Sequence, residues 1–152
     1  MSLESVKEQF KNKNLGLEII EFEQSTATVN LAAEALGVEP DRIAKTMAFK
    51  LKESNILVVS KGGARVDNRK FKDTFRTKAK MMSHDEVVDL TGHPVGGVCP
   101  FGLEKTLEVY LDETLKEFDY VYPAAGSPNS AVKVTIDELE KVTDGKWVNV
   151  CK

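Results

Sequence analysis

Two histidines, His84 and His93, and two cysteines, Cys99 and Cys151, are all the imidazole and thiol this sequence holds. His93 and Cys99 share the stretch TGHPVGGVCPFG (91–102), which packs four glycines and two prolines into twelve positions. Three chemistries fit such a segment. A thiol nucleophile needs a base within hydrogen-bond reach and a third group to orient that base. No carboxylate is placed in the sequence to orient His93, and Cys99, between Val98 and Pro100, equally suits a small buried residue. A zinc site needs ligand spacing such as C-x-x-C, which none of His84, His93, Cys99 and Cys151 shows. His84, in the first turn of an expected helix, reads as a surface residue. The third chemistry is main-chain: Gly96 and Gly97 let the backbone approach a ligand and aim N–H groups at an oxygen that gains charge during ester hydrolysis. The same glycines also suit a bend in a strand, with no ligand at all.

Two other places carry polar chemistry. Lys45 and Thr46 stand where a short helix is expected to give way to the apolar strand beginning MAF. A lysine there can point its ammonium into a cleft as a point charge for phosphate or a carbonyl, or lie along the surface as an ordinary lysine. AAGSPNSA (124–131) is a loop of small residues that forms either a pocket wall or a turn.

The elements that must position these residues are short and mixed. Ser2 is placed to cap a helix through about Lys13, and LEIIEFEQ (17–24) has strand character. Thr28 is expected to cap VNLAAEAL, with Gly37 closing it in a left-handed conformation. Pro40 suits the first turn of a further short helix, PDRIAK. MAFKLKE and NILVVSKGG read as two strands joined near Ser54–Asn55. Asp67 is placed to cap the basic helix NRKFKDTFR, and KAKMM reads as a short strand. Ser83 with Glu86, and Thr135 with Glu138, form the S/T-x-x-E pattern of a capping box; Gly92 closes the first of these helices. LEVYLDE, FDYVYPA, SAVKVT and KWVNV complete about seven strands. Helices and strands do not alternate regularly, which disfavours a doubly wound parallel sheet. The expectation is an α/β fold of the α+β type: a mixed, strongly curved sheet or distorted small barrel flanked by short helices.

A length of 152 residues fits one domain, 1–152, able to bury a sizeable core. No apolar run approaches the roughly 20 residues of a bilayer span, and no secretory leader is read at the start, so no membrane partner and a cytoplasmic location are expected. Two cysteines build no disulfide framework. The net charge is −3, yet residues 61–80 hold eight basic and two acidic residues, +6, leaving −9 on the rest. A basic patch on an acidic body is either a footprint for a polyanion or a solvated helix face.

These pieces occur in order in one family. TVNLAAEALGV (28–38), RIAKT (42–46), LVVSKGGARVD (57–67), TGHPVGGVCPFG (91–102), VYLDETL (109–115) and YPAAGSPN (122–129) resemble the YbaK/prolyl-tRNA synthetase-associated editing domains across nearly the whole chain. The resemblance implies a mixed α/β fold around a distorted barrel. It implies a deacylase that cleaves the ester joining a wrong amino acid to tRNA, acting in trans, with no cofactor and no metal. Lys45 matches the family's important lysine, and Gly96 and Pro100 match its G-x-x-x-P turn, with Gly97 adjacent. On that basis Lys45, Gly96 and Gly97 are the expected catalytic groups. Phe22, Thr46, Pro100, Ala125, Gly126, Ser127 and Asn129 are expected to bind substrate, and Arg65, Arg69, Lys70 and Arg76 to bind tRNA. The implied partners are misacylated tRNA and an aminoacyl-tRNA synthetase; no DNA is expected. Ala124 and Ala131 occupy places where the cysteine-removing branch carries serine and aspartate, and no histidine follows Gly126 as in alanine-removing members. The amino acid is therefore left as a small one: alanine, serine, cysteine or 2-aminobutyrate. A binding module without turnover and a Cys99-dependent hydrolase are the competing readings.

Overall fold

The computed structural model describes residues 2–152. Helix α1 (Ser2–Asn12) leads to β1 (Ile19–Glu21), then α2 (Val29–Leu36), a 3₁₀ turn (Pro40–Arg42), β2 (Ile43–Lys50) and β3 (Asn55–Lys61). Helices α3 (Asn68–Phe75) and α4 (His84–Thr91) precede β4 (Glu108–Asp112). A second 3₁₀ turn (Glu113–Glu117), β5 (Tyr120–Pro123), β6 (Ser130–Val132), β7 (Val134–Thr135), α5 (Ile136–Thr143) and β8 (Lys146–Val148) complete the order.

The helix ends are where the capping residues put them. Thr28 accepts from the Leu31 amide and Asp67 from those of Arg69 and Lys70. Both capping boxes form, at Ser83–Glu86 and Thr135–Glu138, satisfying amides that helix geometry leaves without partners. Gly37 and Gly92 close α2 and α4 with φ of 70° and 77°. The expected Ser2 cap falls on a side chain outside the described residues.

Six strands form one strongly curled, half-barrel sheet in the order β7-β5-β2-β3-β4-β8, and β1 pairs with β6 in a separate two-stranded sheet. The β2–β3 hairpin is antiparallel, whereas β2–β5, β3–β4 and β4–β8 are parallel. Strand β3 is buried on both faces, which its continuous run ILVV (56–59) reflects. Alternation on β2 divides its side chains. Ala44 and Ala48 join Leu57, Val59, Leu111 and Phe101 in the main core, while Phe49 joins Ile56, Val58 and Phe71 in a second cluster on the opposite face.

Two sequence expectations shift here. PDRIAK is helical only over Pro40–Arg42, and the branched residues that follow begin a strand, so Lys45 and Thr46 lie inside β2 rather than at its boundary. KAKMM forms no strand of its own; Met81 makes one bridge to Phe49. That bridge matters for the site. Strand β5 covers the outer edge of β2 only at Ile43 and Ala44. The 80–82 segment covers it again from Ala48, where Met82 N donates to Ala48 O (3.0 Å) and Lys50 N to Lys80 O (2.8 Å). Among the described residues no strand lies across from 45–47 on that side.

Candidate active site at the open edge of a strand

A cavity of about 380 Å³ occupies this gap, within the size range of small-molecule sites. Lys45 and Thr46 border it from β2, Ala27 from the segment before α2, Ala32 from α2, Gly96 from a loop and Ala131 from β6. Even-numbered residues of β2 direct their main-chain groups to the uncovered edge, as the bonds of Ala48 and Lys50 show. Alternation therefore aims the Thr46 amide and carbonyl into the gap. Its side chain is on the face of Ala44 and Ala48, and the Lys45 side chain is on the other.

Lys45 is half-buried and its ammonium donates to the Ala64 carbonyl. Burial holds its pKa below the ordinary lysine value; nearby Cys151 and Asp41 oppose that shift and the Arg65 guanidinium adds to it. The carbonyl that receives it sits in a loop tied to the last residues of the chain, 150–152. Arg65 and Lys152 exchange both main-chain bonds (3.1 and 2.8 Å), and Asp67 N donates to Val150 O (2.8 Å). That segment is anchored in turn by buried Asp112, whose Oδ1 accepts from the amides of Val150 (2.8 Å) and Cys151 (3.2 Å).

The two glycines play different parts. Gly96 borders the cavity with φ 91°, and a methyl there would lie 2.8 Å from the Ala27 methyl. Gly97 is buried behind it, its amide donating to Pro94 O (2.9 Å) and its carbonyl accepting from Gly126 N (3.1 Å). Both of its main-chain groups are thus engaged, and Gly96 is the one of the pair that borders the hollow.

Of the other residues expected around substrate, only Thr46 borders the cavity. Phe22, Pro100, Ala125, Gly126, Ser127 and Asn129 are not among the residues that border it. Phe22 N donates to Asn129 O (2.8 Å) and Asn129 Nδ2 to Phe22 O (2.9 Å), stitching the 124–131 loop to the segment after β1. The wall itself is made by the loop's ends, Ala124, Ser130 and Ala131. His84, read as a surface residue, is exposed but stands at the cavity's border, beside exposed Met81. Its place follows from the Met81 bridge, which no local pattern announces. Among the described residues, no Asp or Glu borders the cavity.

The His93–Cys99 pair is structural in its geometry. Both side chains are fully buried. His93 Nε2 lies 2.6 Å from Phe101 O, and since a carbonyl only accepts, that nitrogen carries the proton. It therefore has no lone pair for the Cys99 thiol 3.5 Å away. Burial pushes the thiol pKa up to about 12 and holds the imidazole below its ordinary value. Among the described residues, no three of His, Cys, Asp and Glu are grouped to hold a metal ion.

On the basic segment, Arg65, Arg69 and Arg76 are exposed, Arg76 as the left-handed cap of α3. Lys70 differs: its ammonium donates to Asn149 Oδ1 (3.1 Å) and Cys151 O (3.0 Å), holding the segment that follows β8.

A curled mixed sheet with a cavity at the uncovered edge of one strand defines an α/β domain built around a ligand-sized hollow. The chain belongs to the aminoacyl-tRNA editing domain family, whose model matches residues 23–142. Over 154 aligned residues it is 49% identical to the uncharacterized protein YwhH of Bacillus subtilis (strain 168), spanning 100% of this chain and 98% of that one. It is 27% identical over 132 residues to the proline–tRNA ligase of Bacillus licheniformis, covering 80% of this chain but 23% of the ligase. A solved structure whose description proposes a trans-editing enzyme for prolyl tRNA synthetase superposes with a TM-score of 0.92 at 30% identity, covering 99% of this chain and 97% of that one.

Proposed function

We propose that residues 1–152 form one editing domain that hydrolyses misacylated tRNA in trans, releasing a small amino acid of the alanine, serine, cysteine or 2-aminobutyrate class. The observation that carries this reading is the common hollow bordered by Lys45 and Gly96, in a chain of the editing family. Similarity to proline–tRNA ligases makes tRNA(Pro) the first substrate to try and a prolyl-tRNA synthetase the first partner. A cytoplasmic setting, where aminoacyl-tRNA is made, belongs to the same proposal.

In this reading, water adds to the ester carbonyl carbon and the carbonyl oxygen takes up negative charge. The Gly96 amide stabilises that oxygen, and the Lys45 ammonium fixes the ribose–phosphate end of the acceptor. The bond from the carbonyl carbon to the ribose oxygen then breaks, and that oxygen takes a proton. The products are the free amino acid and a tRNA with its terminal hydroxyl restored. With no carboxylate among the described residues bordering the cavity, the substrate's own α-amine takes the proton of the attacking water, directly or relayed through the neighbouring ribose hydroxyl, and returns it to the leaving ribose oxygen. Gly97 and the 124–129 loop act by holding the wall in place. Arg65, Arg69 and Arg76 receive the tRNA backbone.

The test is a panel of mischarged tRNAs incubated with the purified protein, scored by amino acid released. Release of a small amino acid, lost in Lys45→Ala with the fold retained, supports the proposal. Binding of tRNA with no release from any ester makes the chain a binding module instead.

A further inference from the structure

Among the described residues, Asp112 at the end of β4 is the one buried carboxylate, and it does not border the cavity. A carboxylate taken out of water is unfavourable unless hydrogen bonds replace its hydration. Three amides do so here. Thr114 N donates to Oδ2 (3.0 Å), a local bond that starts the second 3₁₀ turn. Val150 N (2.8 Å) and Cys151 N (3.2 Å) donate to Oδ1 from far along the chain. Only a carboxylate offers an acceptor oxygen in both directions; an asparagine would turn its NH2 towards one set of amides.

What Asp112 holds leads on to the site. Residues 150–152 lie antiparallel to 65–67: Asp67 N donates to Val150 O (2.8 Å), Val66 bridges Cys151, and Arg65 and Lys152 exchange both main-chain bonds. The residue before Arg65 is Ala64, whose carbonyl accepts from the Lys45 ammonium. A lysine ammonium rides on a flexible four-carbon stem, so it stands in one place only where its acceptor is fixed. The Ala64 loop is fixed on two sides, by Gly63 N donating to Asp41 Oδ1 (2.8 Å) and by the Arg65–Lys152 pair. The first is one bond to a partly exposed side chain. The second is a main-chain ladder anchored on a buried carboxylate.

We infer that residues 150–152 are a strut that sets where the Lys45 ammonium stands, and that Asp112, acting through them, is a positioning residue of the site. The inference rests on the deacylase reading above for what the ammonium then does, but its placement is tested without any ester.

Lys152→Pro removes the amide that donates to Arg65 O and changes an exposed residue, whereas Lys152→Ala keeps that amide. The first arm follows acylation of the Lys45 amine across pH in the folded protein, read by peptide mass spectrometry. Only the neutral amine reacts. In the folded chain burial holds Lys45 below 10.5, with Arg65 adding to the shift and Cys151 and Asp41 opposing it. An ammonium freed from the Ala64 carbonyl reaches water, so the midpoint is expected to rise towards 10.5 in Lys152→Pro and to keep the wild-type value in Lys152→Ala. One midpoint shared by all three proteins overturns the inference.

The second arm measures kcat/KM on a mischarged tRNA. Lys152→Pro is expected to lower it by ~10-fold or more, the scale of a misplaced group, and Lys152→Ala to leave it unchanged. In a Lys45→Ala background there is no ammonium to place, so Lys152→Pro should change the rate by less than ~2-fold. Equal fold losses in both backgrounds would make the segment a stabiliser of the whole domain and overturn the inference. Asp112→Ala is expected to follow Lys152→Pro in both arms, with Asp112→Asn, which keeps one acceptor oxygen, recovering part of the loss. A folded Asp112→Ala with the wild-type Lys45 midpoint removes Asp112 from the inference; if that variant does not fold, Lys152→Pro decides. A wild type that releases no amino acid sinks the deacylase, while the Lys45 midpoints still decide the strut.

Discussion

The ammonium of Lys45 and the carbonyl of Ala64 are hydrogen-bonded across the face of β2 that carries Phe49, and the loop holding Ala64 is clamped by the last residues of the chain. The lysine expected to handle substrate is thus held by a main-chain acceptor rather than by a carboxylate. A carbonyl fixes the position of an ammonium without neutralising it. The charge remains available to an incoming phosphate, with Arg65 close enough to reinforce the local potential.

Replacing Lys45 with Ala is expected to lower deacylation by roughly 100-fold or more, the scale seen when a charge-stabilising donor is removed. Melting temperature should hold or rise, because the change removes a half-buried charge that burial disfavours. Ester hydrolysis and thermal unfolding on the same sample check both. A variant that loses activity and fold together would leave Lys45 a structural residue.

Gly96 and Gly97 should separate in the same pair of assays. A methyl at Gly97 would lie 2.6–2.7 Å from main-chain atoms of Ser127. Gly97→Ala therefore displaces two packed loops and is expected to lower stability by about 1–3 kcal/mol. Gly96→Ala meets a side chain, the Ala27 methyl, and a left-handed φ at the border of the cavity. Its larger effect should be on ester hydrolysis. Equal stability losses with unchanged activity per folded molecule would remove Gly96 from the site.

Much of the local structure was legible because its causes are local. Thr28, Asp67, Ser83 and Thr135 cap helices by bonding amides two or three residues away, so the sequence window contains both partners. The curled mixed sheet followed from strands and helices that do not alternate. The detailed site was less legible, because it is set by what does not pair. The hollow exists where β5 ends beyond Ala44 and the Met81 bridge begins near Ala48, two ends far apart in sequence. Lys45, Thr46 and Gly96 could be found from residue type and motif. That Gly97 turns its amide inward to Pro94, that Lys70 reaches Asn149, and that His84 meets the cavity's border depend on how distant segments pack together.

Cys99 should prove dispensable for chemistry. A thiol with a pKa near 12, fully buried and beside a proton-bearing nitrogen, yields almost no thiolate at neutral pH. An alkylating reagent applied to the folded protein is expected to leave deacylation intact. Cys99→Ala should retain activity per folded molecule while losing some stability from the cavity it opens. Rapid inactivation by the reagent, prevented in Cys99→Ala, would revive the thiol mechanism.

His93 gives the fold a pH dependence of definite sign. Burial holds its folded pKa below the ordinary 6.5, so the folded state keeps it neutral while the unfolded chain binds a proton. Its contribution is complete above about pH 6.5 and is lost as pH falls from there towards the folded value. Glu86 acts in a different window. The Lys50 hydrogen bond and its capping-box contact to Ser83 lower it from 4.5 to about 2, so its contribution is lost only below about pH 4.5. Urea unfolding between pH 7 and 5 should therefore show a decline in stability that Glu86→Gln retains and His93→Gln reduces. A wild type flat across that range would contradict the buried, neutral imidazole.

The basic segment should answer to salt, and the structure says which residues to change. Arg65, Arg69 and Arg76 are exposed, whereas Lys70 holds Asn149 and the Cys151 carbonyl. The triple change Arg65→Ala, Arg69→Ala, Arg76→Ala is expected to weaken tRNA binding and reduce the slope of log K against log salt by about 2–3, close to one for each phosphate no longer neutralised. Lys70→Ala should instead lower stability, by loosening the last residues of the chain, which hold the Ala64 loop, with a smaller effect on the slope. Binding measured between low and moderate salt separates the two. A slope unchanged in the triple variant would move the RNA to another face, and a Lys70→Ala slope as shallow as that of the triple variant would make Lys70 a phosphate ligand rather than a strut.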